Sequence, residues 1–303
     1  GAVERGPVGE VLTTPREPYP HDLLGAVPRV DGPRAARGPL SKDAVLTAER
    51  LRRTFGRGAR AVNAVDEVSL TVHRGETLGV VGESGSGKSV TAYSILRLIP
   101  EGQGEIVGGE ILWYGEQGKP TDLTKLPIEK MPDFRGDDVA MIFQEPMTSL
   151  NPVFKCGWQV AESIRIHTGA DKDEAWKRAT DLLDEVGIPL PARRMNQYPH
   201  ELSGGMKQRV MIAMALACNP KLLICDEPTT ALDVTVQAQI LDLLHTLREE
   251  TGMGLLLVTH DVGVAAESVD DVLVMRDGRA VERGPVGEVL TTPREPYTHE
   301  LLG

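Results

Sequence analysis

The sequence predicts an α/β fold, and three observations support this prediction. Short apolar runs bounded by polar turns recur along the chain, which is typical of parallel strands covered on both faces. Amphipathic helical patterns separate these runs. The dipeptide Asp277-Gly278 joins two short strand-like stretches and predicts a two-residue hairpin. With 303 residues and 41% hydrophobic content, the chain can bury a substantial core.

The predicted elements follow one another in a regular order. Residues 44–55 and 65–72 mix β-formers with alternating polarity, so we expect two antiparallel strands there. Buried strands are expected at 77–81, 139–143, 222–225 and 255–259. Helices are predicted at 89–99, 172–186, 206–218 and 234–250, each followed within two residues by glycine or proline. The hairpin formed by 272–275 and 279–282 should close the end of the sheet.

A long internal repeat indicates how the chain is organised. Residues 2–25 recur as residues 280–303, with Thr298 in place of Pro20 and Glu300 in place of Asp22. This spacing suits the end of a whole domain better than a solenoid unit. Residues 26–41 are rich in Pro, Gly and Arg and are expected to form a linker. We therefore expect 1–42 to be the tail of a preceding repeat plus a linker, and 43–303 to be a complete domain. A duplication made during cloning or assembly is the alternative.

The composition excludes several classes of protein. A net charge of -11 disfavours nucleic acid as a partner, because phosphates would be repelled. The three cysteines are widely spaced and form no C-x-x-C pair, so neither a disulfide framework nor a zinc site is indicated. The longest apolar run, residues 210–218, is far shorter than the roughly twenty residues of a membrane-spanning helix. The first residues lack the apolar region of a secretory signal.

Residues 82–89, GESGSGKS, match the phosphate-binding pattern G-x-x-x-x-G-K-[ST]. The match lies between a predicted strand and a predicted helix, which is the context that the pattern requires. Glycines let backbone N–H groups converge on phosphate oxygens, and Lys88 adds a full charge. Ser89 can ligate magnesium. A Gly-Ser-rich turn is the alternative. The expected phosphate contacts are Gly82, Ser84, Gly85, Ser86, Gly87, Lys88, Ser89 and the following Val90.

Two carboxylates follow the apolar run at 222–225. Asp226 and Glu227 lie at the carboxyl end of this predicted strand, where parallel sheets keep their ligand sites. We expect Asp226 to hold Mg²⁺ and Glu227 to polarise an attacking water as a general base. Taken alone, Asp-Glu-Pro after a strand is more often an ordinary turn. Together with the upstream phosphate loop, the pair predicts an ATPase.

A second candidate anion site lies at residues 202–209, LSGGMKQR. Ser203, Gly204 and Gly205 place a hydroxyl and backbone N–H groups at the start of a predicted helix, and Gln208 follows one turn later. In isolation this stretch is only a good helix N-cap. Its place in the sequence adds information, because GESGSGKS, Gln144, LSGGMKQ, LLICDEP, Ala231-Leu232-Asp233 and His260 follow one another in this order.

These six elements together closely resemble the ABC ATPase family, and the resemblance covers about residues 44–303. It implies a P-loop NTPase (RecA-like) core at 43–144 and 219–280 with an antiparallel β subdomain. An inserted α-helical subdomain would occupy 145–218 and a C-terminal tail 281–303. It also implies a head-to-tail dimer, in which the phosphate loop of one copy and Ser203 to Gln208 of the other enclose one ATP.

The resemblance further implies roles for single residues. Gln144 resembles the glutamine that contacts magnesium and senses a membrane partner, and Asp233 resembles the residue that joins the two sites. His260 resembles the switch histidine that contacts the γ-phosphate. Phe55 lies where the family places an aromatic ring on adenine. Two positions depart from the family pattern, since Met206 replaces the usual Gln or Glu and Val90 replaces a second hydroxyl.

Three segments resemble dipeptide and oligopeptide importer ATPases in particular, namely 143–153, 228–241 and the tail PREPYTHELLG. This resemblance implies peptide import, with transmembrane permease subunits, a second ATPase domain and, indirectly, an extracytoplasmic solute-binding protein as partners. The chain would then lie on the cytoplasmic face of the cell membrane. Import of another small solute such as nickel or glutathione, a soluble translation-factor-like ABC ATPase, and a binding module without turnover are the alternatives.

Overall fold

A computed structural model describes residues 43–100, 102–115, 119–144 and 149–303. The first copy of the repeat and the linker that follows it lie outside these residues. Ten strands are formed in the described part of the chain: β1 (Ala44–Phe55), β2 (Val62–His73), β3 (Thr77–Val81), β4 (Gly104–Trp113), β5 (Thr121–Asp122), β6 (Val139–Ile142), β7 (Leu222–Asp226), β8 (Gly254–Thr259), β9 (Asp271–Arg276) and β10 (Arg279–Pro285).

The α-helices of the described residues are α1 (Lys88–Ile95), α2 (Met131–Phe134), α3 (Cys156–Thr168), α4 (Lys172–Glu185), α5 (Pro191–Arg194), α6 (Gly204–Leu216), α7 (Val234–Thr251), α8 (Val262–Ser268), α9 (Val286–Thr291) and α10 (Pro296–Leu302). Short 3-10 helices form at Gly58–Arg60, Ile128–Lys130 and Pro199–Glu201. Within the described residues, no helix combines the length and apolar character needed to cross a membrane.

The strands form two sheets. The larger sheet has the order β10-β9-β3-β8-β7-β6, and its five strands from β9 to β6 are parallel. β10 pairs antiparallel with β9 through the Asp277-Gly278 turn, which confirms the predicted hairpin at the sheet edge. The smaller sheet is antiparallel, with the order β2-β1-β4-β5. The predicted α/β fold is therefore confirmed.

Two apolar clusters cover opposite faces of the larger sheet. One lies between this sheet and the smaller sheet and includes Leu46, Val80, Ile95 and Leu256. The other packs α3, α4, α6 and α7 against the sheet and includes Val160, Leu183, Ile212 and Leu244. Burial on both faces explains why the strands read as continuous apolar runs, since all five residues of β3 and of β7 are buried.

Three parts of the fold differ from the sequence prediction. The helix predicted at 89–99 ends at Ile95, because Leu96 leaves the helical conformation and Arg97 is left-handed with φ 50°. β4 was not predicted at all. Gly108 and Gly109 interrupt the alternation of polar and apolar residues that would have indicated this strand. Gly109 is sterically required, because it has φ 82° and a Cβ there would lie 2.4 Å from Arg50 O. The sequence prediction also omitted α3.

Candidate active site

The loop at residues 82–87 joins the end of β3 to the start of α1, and two of its glycines are sterically required. Gly82 has φ 156°, and a Cβ there would lie 2.3 Å from Met275 O. Gly87 has φ 98°, and a Cβ there would lie 2.6 Å from Ala64 O. Any larger residue would push the loop away from its neighbours. The turn therefore places the first N–H groups of α1 at the carboxyl edge of the sheet.

Lys88 is folded back over this loop. Its Nζ atom donates to the carbonyls of Gly82 and Glu83, both at 2.8 Å, and the side chain is only 4% exposed. Burial lowers the pKa of the ammonium group, while Glu227 and Asp226 act in the opposite direction. The lysine thus brings a partly desolvated positive charge to the inner wall of the loop.

Asp226 ends β7 and is fully buried. Its Oδ1 atom accepts a hydrogen bond of 3.0 Å from Ser89 Oγ, whereas Oδ2 is buried and accepts no hydrogen bond within the described residues. Burial raises the pKa of this carboxyl, and the interactions with Ser89 and Tyr93 oppose the rise. A buried carboxylate with an open oxygen beside a hydroxyl matches the hard oxygen ligands that Mg²⁺ prefers. The residues present therefore fit this ion.

Glu227 lies at the centre of a polar cluster. Its Oε2 atom accepts hydrogen bonds from Gln144 Nε2 at 3.1 Å and from Thr230 Oγ1 at 3.2 Å, and it lies 3.0 Å from His260 Nδ1. Gln144 and His260 follow β6 and β8, the two strands that flank β7. A carboxylate held in this way at the carboxyl edge can accept a proton from a nearby water.

The backbone of Glu227 has an unusual conformation. Its φ is 47°, in the left-handed region, which residues other than glycine rarely adopt. The turn is fixed by hydrogen bonds from Glu227 N to Val258 O at 2.8 Å and from Thr230 N to Glu227 O at 3.2 Å. Such a strained conformation is common at functional sites, where the surrounding structure imposes it.

These groups surround one cavity of about 890 Å³. The β9–β10 turn forms one side of it, because Gly278 N donates to Ser86 O at 2.9 Å. The residues that line it are Val62, Asn63, Ala64, Glu83, Ser84, Gly85, Gly87, Lys88, Ser89, Val90, Gln144, Glu227, Thr230, His260, Asp277, Gly278 and Leu301. Most of the phosphate loop, Glu227 and His260 thus border one cavity, whereas Gly82, Ser86 and Asp226 are not among its lining residues.

Other predicted site residues do not line this cavity. The Phe55 ring packs against Gly104, where a Cβ would lie 2.8 Å from the ring. Ser203 Oγ accepts from Met206 N at 3.2 Å and caps α6, next to the exposed Gly204 and the half-buried Gly205. Asp233 caps α7 in the same way, accepting from Val236 N at 2.9 Å.

Gln208 differs from the expectation that it faces a nucleotide. It is fully buried in α6, and neither side-chain amide atom has a hydrogen-bond partner among the described residues. The physical reason is its position on the inner face of α6, where Met211 and Ile212 are also buried. A nucleotide cannot contact this side chain in the conformation described.

Several residues at the cavity were not predicted as site residues, and three of them make informative contacts. Thr230 donates to Glu227, and Leu301 in the last helix lines the cavity. Tyr297, also in α10, accepts a hydrogen bond of 3.1 Å from Glu83 N through its hydroxyl oxygen. The repeated tail sequence contains both Tyr297 and Leu301, so the repeat was the available signal for these two residues.

Comparison with known proteins gives consistent results. The sequence profile of the ABC transporter family matches residues 65–230, and that of the oligopeptide/dipeptide transporter C-terminal region matches residues 3–55. An ATP-binding protein of Brucella abortus (strain 2308), named for peptide import, is 55% identical over 263 residues, which are 87% of this chain and 78% of that protein. The glutathione import ATP-binding protein GsiA of Salmonella typhimurium is 52% identical over 258 residues, but these are only 41% of its length.

Solved structures agree with the sequence matches. The ATP-binding cassette MJ0796, in a dimeric post-hydrolysis state bound to ADP and Pi, superposes with a TM-score of 0.68 at 30% identity, covering 80% of this chain and 98% of that chain. CbiO1 from Clostridium perfringens, part of the transporter complex cbiONQ, gives 0.69 at 28% identity, covering 83% and 92%. The family profile matches more than half of the sequence, and the fold and phosphate loop agree with it. The chain therefore belongs to the ABC transporter family, as an ATP-binding cassette that hydrolyses ATP.

Proposed function

We propose that this chain powers the uptake of peptides by coupling ATP binding and hydrolysis to a membrane transporter. The observation that carries the ATPase part is the convergence of Gln144, Thr230 and His260 on the Glu227 carboxylate beside the phosphate loop. Peptides as cargo are supported by the 55% identity to a protein named for peptide import and by the oligopeptide/dipeptide transporter match at residues 3–55.

The phosphate loop and Lys88 would bind the triphosphate. Backbone N–H groups from Gly82 to Ser89 would donate to phosphate oxygens, and Lys88 would exchange its contacts with Gly82 O and Glu83 O for phosphate. Ser89, Asp226 and Gln144 are the candidate ligands of Mg²⁺. When bound, this ion neutralises negative charge on the phosphates.

Glu227 would act as the general base and His260 would position the attacking water near the γ-phosphate. The hydrogen bonds from Gln144 and Thr230 and the contact with His260 restrict the Glu227 carboxylate to one orientation. Gln144 is exposed, so its contact with Glu227 can change when a partner binds nearby. This would link the state of the permease to hydrolysis.

Two ATPase domains would assemble head to tail. Exposed Ser203 and Gly204, together with Gly205, would then donate to a nucleotide held by the other copy, and Asp233 would lie between the two sites. The similarity to a cassette solved as a dimer supports this arrangement. Phe55 would contact adenine only after its ring turns away from Gly104.

The other proposed partners are transmembrane permease subunits and, indirectly, an extracytoplasmic solute-binding protein. The chain would then lie on the cytoplasmic face of the membrane. The match of residues 3–55 to a transporter C-terminal region supports the view that 1–42 is the tail of a preceding repeat plus a linker, followed by an ABC ATPase domain at 43–303. The second ATPase domain would in that case be fused to this one.

An uptake assay in the host tests this proposal. The gene would be deleted and complemented with the wild-type chain or with Glu227→Gln, and uptake of labelled dipeptides, oligopeptides, glutathione and nickel would be compared. We expect peptide uptake to be lost in the deletion strain and restored only by the wild type. Normal uptake of every solute without the gene would contradict a role in import and favour a soluble ATPase.

Glutathione is the second candidate cargo, because GsiA is 52% identical over most of this chain. Glutathione is itself a tripeptide, so the two candidates share a chemical class. Loss of glutathione uptake with normal uptake of other peptides would favour this candidate.

A further inference from the structure

Three side chains with metal-binding chemistry converge outside the lining of the nucleotide cavity. Asp137 precedes β6, His167 lies in the last turn of α3, and Cys218 follows α6. One ligand atom from each lies within 4.8 Å of the other two. Asp137 Oδ1 and His167 Nδ1 are 3.0 Å apart. None of the three lines the nucleotide cavity.

The His167 imidazole occupies space that a side chain at position 136 would fill, so Gly136 is required for this position of the ring. A Cβ at this glycine would lie 2.7 Å from His167 Cε1 and 3.0 Å from Nε2. Gly136 also has φ 96°, so the turn itself favours glycine. The ring therefore fits closely between the Gly136 backbone and the Asp137 carboxylate.

The cluster borders a second cavity. Gly136, His167 and Cys218 line a cavity of about 330 Å³, whose other walls are largely apolar. The His167 side chain is 26% exposed, that of Asp137 is 49% exposed and Cys218 is half-buried, so solvent reaches all three donors. A metal ion held by all three side chains could take water as its fourth ligand.

We propose that Asp137, His167 and Cys218 bind one divalent transition metal ion, with Zn²⁺ the best match to this donor set. Zinc binds imidazole nitrogen, thiolate sulfur and carboxylate oxygen, usually with four ligands in a tetrahedral arrangement. Bond lengths of about 2.0–2.3 Å place the ligands roughly 3.3–3.7 Å from one another. The Asp137–His167 distance of 3.0 Å and the limit of 4.8 Å on the other distances are close to this range, and side-chain rotations would bring the three donors onto one ion. Mg²⁺ matches this site poorly, because it prefers oxygen ligands and two of the three donors are nitrogen and sulfur.

This site differs from the expectation drawn from the sequence. The cysteines form no pair, and on that ground no zinc site was predicted. The three donors belong to segments that only the fold brings together. A bound ion would connect the edge strand β6 to the ends of α3 and α6, and would thereby resist separation of these helices from the sheet.

Cobalt substitution tests the proposal directly. The full chain would be treated with EDTA, freed of nucleotide and titrated with Co²⁺, whose visible spectrum reports tetrahedral coordination and whose near-ultraviolet band reports a thiolate ligand. We expect one equivalent to bind, with both signals present, and Zn²⁺ to displace it. A spectrum without the thiolate band would overturn the proposal.

Three variants identify the ligands. Cys218→Ser should abolish the thiolate band, and His167→Gln and Asp137→Asn should weaken Co²⁺ binding by more than about 100-fold, beyond the effect of altering an outer-shell partner. His200→Gln is the matched control, because His200 is an exposed histidine outside the cluster. Circular dichroism would establish that each variant is folded.

Thermal unfolding provides an independent readout. Zn²⁺ should raise the melting temperature of the wild type and of His200→Gln but not that of Cys218→Ser. The substitution of cysteine by serine is small, so we expect this variant to keep the fold. An equal rise in all three proteins would place the ion elsewhere and contradict the assignment. If Cys218→Ser kept the thiolate band, Cys218 would not be a ligand and the proposed site would be wrong.

Discussion

The hydroxyl oxygen of Tyr297 accepts a hydrogen bond of 3.1 Å from the backbone N–H of Glu83, the second residue of the phosphate loop. The ring is nearly buried, and the Arg276 guanidinium lies 4.8 Å from its centroid. The last helix therefore contacts the loop directly. This contact fixes one backbone group of the loop before any phosphate is present.

Tyr297→Phe should remove this hydrogen bond while keeping the ring in place. We expect the variant to lose about 1 kcal/mol of stability and to bind ATP up to roughly fivefold more weakly, because the loop is less well ordered. Isothermal titration calorimetry and urea unfolding would measure the two effects. The half-buried Tyr114, which does not line the cavity, provides the control Tyr114→Phe. Equal effects of both substitutions would mean that the contact is unimportant.

Lys88→Ala should weaken binding of nucleotides through their phosphates. Loss of a charged donor costs about 1.5–3 kcal/mol, so we expect the Kd for ATP to rise roughly 10- to 100-fold. Adenosine has no phosphates, and its affinity should not change. Lys125→Ala at a highly exposed lysine serves as the control. Unaltered ATP affinity in Lys88→Ala would contradict the role of the loop.

Glu227→Gln should separate binding from turnover. The amide keeps the size of the side chain but cannot accept a proton, so we expect phosphate release to slow by about 100-fold or more while ATP affinity remains similar. A dimer trapped with ATP should also become easier to detect by size-exclusion chromatography. Unchanged turnover would show that another group activates the water.

Mixing two inactive variants tests the head-to-tail arrangement. Lys88→Ala disables the phosphate loop and Gly204→Asp disables the opposing α6 terminus; Gly204 is exposed, and an added Cβ would only contact Leu232 at 3.4 Å. If two copies pair, each mixed dimer contains one intact site. An equal mixture should then recover roughly a quarter of the wild-type rate, since half of the dimers are mixed. No recovery would indicate that a single chain forms the whole site.

Acid should release the C-terminal tail at an unusually low pH. Partial burial alone would raise the pKa of Glu282, but the nearby Thr298 hydroxyl and hydrogen bonds from the backbone N–H groups of Arg294 and Glu295 hold it below the ordinary 4.5. Because the folded pKa is depressed, the stabilisation is present above the unfolded pKa and is lost as pH falls through the folded value.

NMR titration of the Arg294 and Glu295 amides would measure this release. We expect their chemical shifts to change with a midpoint below 4.5, and Glu282→Gln to abolish the transition. A midpoint at or above the ordinary value would mean that these hydrogen bonds do not hold the tail in solution.

The site could be predicted well where its residues are consecutive or end neighbouring strands. The phosphate loop is one continuous motif, and Gln144, Glu227 and His260 follow β6, β7 and β8, which pair side by side. Parallel strands place their carboxyl ends at one edge of a sheet. The resemblance to ABC ATPases singled out Gln144 and His260, and the pairing of β6, β7 and β8 explains why both meet Glu227.

Other contacts depend on packing that a linear pattern does not record. Tyr297 and Glu83 are 214 residues apart, and only the final position of α10 brings them together. Gln208 is polar and belongs to the LSGGMKQ motif, yet it faces the interior because α6 packs on the sheet through that side. β4 was not predicted because its glycines, which the backbone conformation requires, interrupt the apolar pattern of the strand.

The left-handed backbone conformation of Glu227 lowers the stability of the fold at a residue that we propose is needed for catalysis. Glycine would adopt φ 47° without steric penalty, so the substitution Glu227→Gly would relieve backbone strain of about 1 kcal/mol or more. Selection of this enzyme for heat resistance alone would therefore enrich sequences that have lost the proposed proton acceptor. A library screened for stability should also be screened for phosphate release, because its most stable members would include variants without Glu227.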